Sequence, residues 1–322
     1  MAEITPTFMM TMQSNMNVRF SNAWSRILPQ LWWDKVAIRD TASTLEEFYE
    51  WMLETAQIRP TGTSGDELDF EDIVAVSHRI KSENFGTALR LSRNSIEDNK
   101  YDRAAKWSAD AGGASAYWPQ RQIVSLIQQG KTNKGYDGKT FFASDHPVNP
   151  YDAASGSYGN LFTGKPLTST NLAAVVAEIL KVRHPGDAPR YLKPSLLLVD
   201  PSNQLAAQTI TNAEIITDAL TLGTNRAATA TNMIKRAYSF GQPVVVPEFS
   251  SEAGVWYVGC EADEDALNGA FVYQERKPFE LDSFTGLTQA DLNRLNVFEW
   301  HLRGRNTSAY GHPYLFYRVE PT

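Results

Sequence analysis

Between residues 69 and 93 apolar and polar positions alternate with a period of two. In DFEDIVAVSHRIKSENFGTALRLSR, an extended chain puts Ile73, Ala75 and Ser77 on one side and Val74, Val76 and His78 on the other. Further on, Ala88, Arg90 and Ser92 stand against Leu89 and Leu91. That period marks strands, and the polar run at 81–84 predicts a hairpin turn between them. Little apolar sequence surrounds it, so the hairpin is expected to project. The period then changes. SRNSIEDNKYDRAAKWSADAGGASAYWPQRQIVSLIQQG predicts a long helix over 95–129, with Ser95 as its cap and Glu97 and Asp98 set against the positive end of the helix dipole. Its middle is rich in alanine and glycine, which permits close backbone approach, and the pair Gly112–Gly113 predicts a bend. Pro119 predicts a second kink and Gly130 the end of the helix.

Farther along, TSTNLAAVVAEILKVR brings Leu172, Val175, Val176, Ile179 and Leu180 to one helical face behind a Ser/Thr cap. PSLLLVD, PVVVPEF and VWYVGC are short, near-continuous apolar runs, the pattern of strands covered on both faces. Helices at 201–212 and 224–238 are expected between them, making 168–270 an α/β layer structure. GAFVYQERKPFEL and LNVFEWHLRGRNTSAYGHPYLFYRVEP close the chain as strands, the latter expected to turn near Asn306. With the long helix they suggest a second α+β body assembled from separated segments. Residues 1–65 scatter aromatics, among them Trp32, Trp33, Phe48, Tyr49 and Trp51, through polar sequence, and show little core of their own. The pair Trp32–Trp33 reads as a buried anchor, a surface that docks on a neighbour, or a stacking platform.

Composition narrows the function. At 322 residues the chain can bury one large or two ordinary cores. Its net charge of −7 comes from scattered basic residues outnumbered by acids, unlike the basic face of a dedicated nucleic-acid binder. Cys260 is the only cysteine, so neither an intrachain disulfide nor a cysteine zinc cluster is available, and synthesis in a reducing cytoplasm is expected. No apolar run approaches the roughly 20 residues that span a bilayer, and the start has no basic segment ahead of an apolar one.

Candidate chemistry is sparse. GYDGKTFFASDHP, residues 135–147, sets Ser144, Asp145 and His146 side by side. Consecutive residues of an extended loop point in different directions, and the glycines of a nucleophile elbow are missing, so a serine hydrolase is a weak reading. Asp145 is instead expected to accept backbone amides, with Pro147 holding His146 extended. The five histidines are far apart, without metal-ligand spacing, and His78 reads as an exposed or interface residue. GKT occurs at Gly130 and Gly138 without the upstream glycine of a phosphate loop. Arg303 and Arg305 are expected to flank a strand turn and to meet acids of a neighbouring chain or phosphate. No catalytic residue, metal ligand or cofactor site emerges.

LRLSRNSIEDNKYD, the small-residue helix ending in LIQQG, and GYDGKTFFASDHP together resemble the major head subunits of Mu-like phages and prophages, the gpT family, over residues 85–150. The resemblance implies the α+β Hong Kong 97-type capsid fold. It implies an N-terminal arm at 1–50, an extended β-hairpin loop at 51–94, and a first part of the peripheral domain at 95–167, with its spine helix at 95–129. An axial domain at 168–270 and the rest of the peripheral domain at 271–322 complete the expectation. Ser95, Glu97, Asp98, Tyr136, Asp137, Gly138, Phe141, Phe142, Asp145, His146 and Pro147 are its structural signature. Trp32, Trp33, Ile73, Val74, Val76, Arg79, Phe85, Arg303 and Arg305 are candidate contacts between subunits.

The function implied is a major capsid protein, not an enzyme. It would form hexamers and pentamers of an icosahedral shell, made in the bacterial cytoplasm and resident in the virion. Double-stranded DNA would be enclosed without sequence-specific binding, with no membrane and no cofactor. Many relatives carry a charged helical scaffold segment at the N-terminus, and none precedes Asn17. Scaffold and maturation protease are therefore expected as separate proteins, or the chain is already trimmed, and Met1 favours the first; a portal and any decoration protein are further expected partners. An encapsulin-like compartment of the same fold is the alternative, with a metal or serine hydrolase behind it.

Overall fold

The computed structural model describes residues 4–52, 75–98, 102–217, 229–238, 240–262, 268–283, 288–294 and 296–322. The chain opens with a helix, α1 (Pro6–Ile27), inside the segment that the resemblance implies is an arm and in which the sequence pattern shows little core of its own. Thr5 caps it, accepting the Phe8 amide at 3.2 Å, and Pro6 takes the first helical position. Its buried stripe is Met9, Met12, Met16 and Ala23, helical spacing diluted by the polar residues between.

Four strands follow: β1 (Ala37–Thr41), β2 (Glu46–Met52), β3 (Ala75–Lys81) and β4 (Glu83–Ser92). Next come α2 (Arg93–Glu97), α3 (Asp102–Gln129), β5 (His146–Asn149), β6 (Asp152–Tyr158) and β7 (Leu161–Phe162). The middle of the chain holds α4 (Ser169–Ile179), β8 (Pro194–Val199), α5 (Gln204–Asn212), β9 (Ile215–Thr217), β10 (Thr229–Thr231), α6 (Met233–Ala237), β11 (Val244–Val245) and β12 (Trp256–Cys260). The chain closes with β13 (Phe271–Ser283), α7 (Gln289–Arg294), β14 (Val297–Tyr310) and β15 (Phe316–Val319).

Two sheets organise these elements. One has the order β1-β13-β14-β4, the other β11-β8-β12-β15-β7, and β2–β3, β5–β6 and β9–β10 are separate pairs. In the first sheet, Phe298, Trp300 and Leu302 of β14 form one core with the methionines of α1 and with Ile96, Ala104 and Ala111. The second sheet packs β8 and β12 against Leu172, Val175, Val176 and Ile179 of α4, and its core continues through Phe141 and Phe142 to the end of α3. Leu180, expected on that face of α4, ends the helix and is exposed.

Several expectations are corrected. β3 and β4 are separated only by Ser82 and do not pair with each other: β3 pairs with β2, and β4 pairs with β14. Ser82 passes the chain from one sheet to the next. Buried, it donates its amide to the Leu45 carbonyl at 3.0 Å and its hydroxyl to Gln274 Oε1 at 3.2 Å. Beyond it, β14 offers Leu89 and Leu91 the apolar partners Trp300 and Phe298, a better match than the polar strand β3. Ile73 and Val74 lie outside the described residues. The expected turn at Asn306 is likewise absent: β14 runs through it, and the Asn306 Oδ1 accepts from Trp118 Nε1 at 3.0 Å and Gln122 Nε2 at 3.2 Å. β15 joins the other sheet.

The long helix also starts differently. α2 is a short separate turn, and its cap is Ser92, not Ser95: the Ser95 amide donates to Ser92 Oγ at 3.3 Å. α3 then continues unbroken through Gly112, Gly113 and Pro119. The glycines serve packing, since a Cβ on Gly112 would lie 2.4 Å from the Phe20 carbonyl oxygen of α1. Of the helix expected over 224–238, only α6 forms within the described part. Residues 229–231 pair as a strand with β9, as their β-branched threonines favour, and 224–228 lie outside the described residues.

Candidate functional site

The signature loop begins where α3 stops. Gly135 accepts the Gly138 amide at 3.2 Å and donates its own to Lys139 at 2.8 Å, closing a tight turn. Gly138 takes φ +78°, where a side chain would be strained. Asp137 Oδ1 accepts the Lys139 amide at 3.1 Å, the role expected of Asp145. Asp145 is exposed and pairs with Lys139 Nζ at 2.5 Å, which holds its carboxyl below the ordinary range. Phe141 and Phe142 are buried, Phe141 stacking on Tyr310 at 4.6 Å and Phe142 lying against Tyr257 and Phe316.

His146 begins β5, extended as its proline neighbour requires, and is wholly buried. Its Nδ1 meets Asp137 Oδ2 at 2.5 Å, and its Nε2 faces Asn160 Oδ1 at 3.1 Å and the Phe141 carbonyl at 3.2 Å. Asn160 is oriented unambiguously. Its Nδ2 reaches the carbonyls of Phe141, Pro313 and Phe316 at 2.7, 3.1 and 3.1 Å, so its oxygen must be the atom accepting the Ala143 amide at 3.0 Å. His146 Nε2 therefore meets only acceptors and carries a proton. With both His146 nitrogens engaged elsewhere and Ser144 exposed, Ser144, Asp145 and His146 form no hydrolytic triad. The loop instead fastens the exit of α3 to β5 and to the start of β15.

The same loop touches the root of the β2–β3 pair. Tyr136 packs edge-on against Trp51 of β2 at 5.5 Å and against His312 at 5.7 Å, and Trp51 lies over His312 at 4.8 Å and His78 at 5.7 Å. Burial pushes the Tyr136 hydroxyl up and both histidines down, His312 to about 3. Tyr49 adds a polar clasp, donating to Asp40 Oδ2 at 2.6 Å and accepting from Gln274 at 3.0 Å. Among the described residues no group of histidine, cysteine and carboxylate side chains could hold a metal ion, and no helix is long and apolar enough to cross a membrane.

The remaining candidates divide by exposure. Trp32 is buried, its amide donating to Gln120 Oε1 at 3.1 Å, and Val76 is buried in the β2–β3 pair, so neither is open to a neighbour. Trp33 packs edge-on against Tyr273. Arg79 pairs with Glu46 at 3.4 Å, Phe85 lies against Trp118, Glu97 pairs with Arg93 at 2.9 Å, and Asp98 ends α2. Arg303 and Arg305 stand in the middle of β14, lining a mixed-charge groove with Lys277, Glu280 and Asp282.

Sequence reasoning missed two buried hubs. One is Asn160. The other is Arg318, 4% exposed, which donates to Glu252 at 3.0–3.1 Å, Glu320 at 2.8 Å and the Tyr257 hydroxyl at 2.7 Å. A lone arginine between apolar residues in YLFYRVEP is the only local sign of it.

A paired hairpin beside a long helix, a sheet of two long C-terminal strands flanked by β1 and β4, and a separate five-stranded α/β body define the Hong Kong 97-type capsid fold. The subunit of the bacteriophage JBD30 procapsid superposes with a TM-score of 0.53 at 17% identity, over 98% of this chain and 75% of that one. The bacteriophage PhiM1 mature capsid gives 0.54 at 14% identity over 89% and 86%, and a virus-like particle from Pyrococcus furiosus gives 0.51 at 8% over 94% and 98%. Residues 9–166 match the family of Mu-like prophage major head subunits, gpT. The major capsid protein of Escherichia phage Mu is 26% identical over 128 residues, which are 40% of this chain and 41% of the Mu protein.

Proposed function

We propose that the chain is a major capsid protein that assembles into hexamers and pentamers of an icosahedral head enclosing double-stranded DNA. The observation that carries this is the gpT match over 9–166 falling on a chain with the Hong Kong 97-type fold. In this reading 1–50 is the arm region, 51–94 the extended loop, 95–167 and 271–322 the peripheral domain, and 168–270 the axial domain. The pairing of β2 with β3 supports moving the start of the loop to Glu46, and the sheet order supports adding β7 and β15 to the axial body. Rings of one chain need heterologous contacts that tolerate two ring sizes, and a hairpin laid over a neighbour meets that need. Scaffold, maturation protease, portal and decoration proteins would be separate partners. With a net charge of −7, the wall would confine DNA without gripping it, so purified subunits should bind duplex DNA weakly.

Electron microscopy of the expressed protein tests the assignment: closed shells or capsomer rings are expected, and a persistent monomer at high concentration would overturn it. The likeness to the Pyrococcus furiosus particle supports a second reading, a protein compartment of the same fold. Nuclease-protected DNA in particles recovered from the phage or prophage host would favour the head; protein cargo without DNA would favour the compartment.

A further inference from the structure

Resting on the shell reading, we propose that a groove between α3 and β4 receives Phe48 from the hairpin of a second copy of this chain. The groove holds about 280 Å³ and is walled by Phe85, Trp118, Phe279 and Leu302. That is just under the about 300 Å³ at which small-molecule pockets begin, a size for inserted side chains more than for a ligand. Its polar rim is Arg121 of α3.

The hairpin supplies a matching plug. Along β2 the alternate residues Tyr49 and Trp51 are buried, which turns Glu46, Phe48 and Glu50 outward. Phe48 is 68% exposed, an unusual setting for a phenylalanine on a strand. Glu46 is already paired with Arg79, whereas Glu50 is exposed and makes no ion pair among the described residues. Arg121 is exposed and unpaired in the same sense. An aromatic plug beside a carboxylate with no ion pair among the described residues thus matches an aromatic slot beside a guanidinium in the same condition, and Phe48 does not line the slot of its own chain. β2 and β3 pair only with each other among the described strands, an open-edged element that a neighbouring subunit would cover. Buried aromatics and arginine are the side chains that anchor interfaces, with charge setting orientation and register.

The test uses the full-length protein and counts shells by electron microscopy, with circular dichroism confirming that each variant folds. Phe48→Ala, Glu50→Arg and Arg121→Glu should each lower shell yield by at least about tenfold. Combining Glu50→Arg with Arg121→Glu should restore it to within about threefold of the unsubstituted protein. In parallel, Phe48→Cys with Thr87→Cys, Thr87 being a groove residue, should give covalent rings on oxidation, while each single cysteine should not. Unimpaired shells from Phe48→Ala, failure of the charge exchange to rescue, or no covalent rings from assembled double-cysteine shells would each overturn the pairing. Absence of shells from the unsubstituted protein would instead overturn the capsid reading.

Discussion

Ser144 shows how little sequence adjacency decides. Gly159 approaches its backbone so closely that an added Cβ would sit 2.9 Å from the Ser144 carbonyl oxygen, yet the serine side chain faces solvent. Ser144→Ala should therefore change the unfolding free energy measured by urea titration by no more than about 0.5 kcal/mol and leave assembly intact. Asn160→Ala strips partners from the Ala143 amide, the Phe141 carbonyl and His146 together, and should cost about 2–4 kcal/mol in the same assay. His312 gives the chain an acid-sensitive position. Burial, then the nearby Arg190 charge, lower it from 6.5 to about 3, and its Nδ1 has no hydrogen-bond partner among the described residues. Above pH 6.5 the ring is neutral folded or unfolded. As pH falls from 6.5 toward 3 the unfolded chain takes up a proton that the folded chain refuses, so stability drops by up to about 1.4 kcal/mol per pH unit. His312→Phe keeps the stack with Trp51 and Tyr314 and should lose less stability between pH 7.5 and pH 5. Equal losses in both proteins would place the acid sensitivity elsewhere.

The elements differ in how openly the sequence declares them, and the difference is one of contact range. α4 and the strands β8 and β12 carry their pattern within a dozen residues, so period and apolar run are enough to read them. The turn glycines and anchoring phenylalanines of the signature loop are legible for the same reason. Its histidine clasp depends on Asn160, 14 residues away, and on the carbonyls of Pro313 and Phe316, which no local pattern announces. β3 misleads because its alternation is genuine while its partner lies before it in the chain. α1 hides because methionines form its stripe and because the surface it fits belongs to α3. That fit is testable at two adjacent glycines with equal helix propensity. Alanine in place of either gains about 1 kcal/mol of propensity. At Gly112 the new Cβ would meet the Phe20 backbone at 2.4 Å, whereas at Gly113 it would meet the mobile tip of Ile27 at 3.0 Å. Gly112→Ala should therefore lose about 1–3 kcal/mol net and Gly113→Ala should lie near neutral or above, measured by urea unfolding.

For the whole molecule, the separation between folding and assembly is the property to test. The body has its own cores, and the β2–β3 pair is fastened to it at the root by Tyr49, Trp51, Tyr136 and His312. Met52 and Ala75 are register partners in that antiparallel pair, so residues 53–74 can be replaced by an Asn-Gly turn without disturbing the root. If the hairpin serves neighbouring subunits, the shortened chain should unfold within about 1 kcal/mol of the original while its shells are lost or arrested at rings. A deletion of 70–88 would be a poorer probe, because it would remove β3 and half of β4, whose ladder to β14 belongs to the body of the same chain. A marked fall in stability on replacing 53–74 would make that segment part of the subunit's own fold. Shells of normal yield from a stable shortened chain would mean that contacts between subunits arise elsewhere, and α1 and the groove on α3 would be the surfaces to examine next.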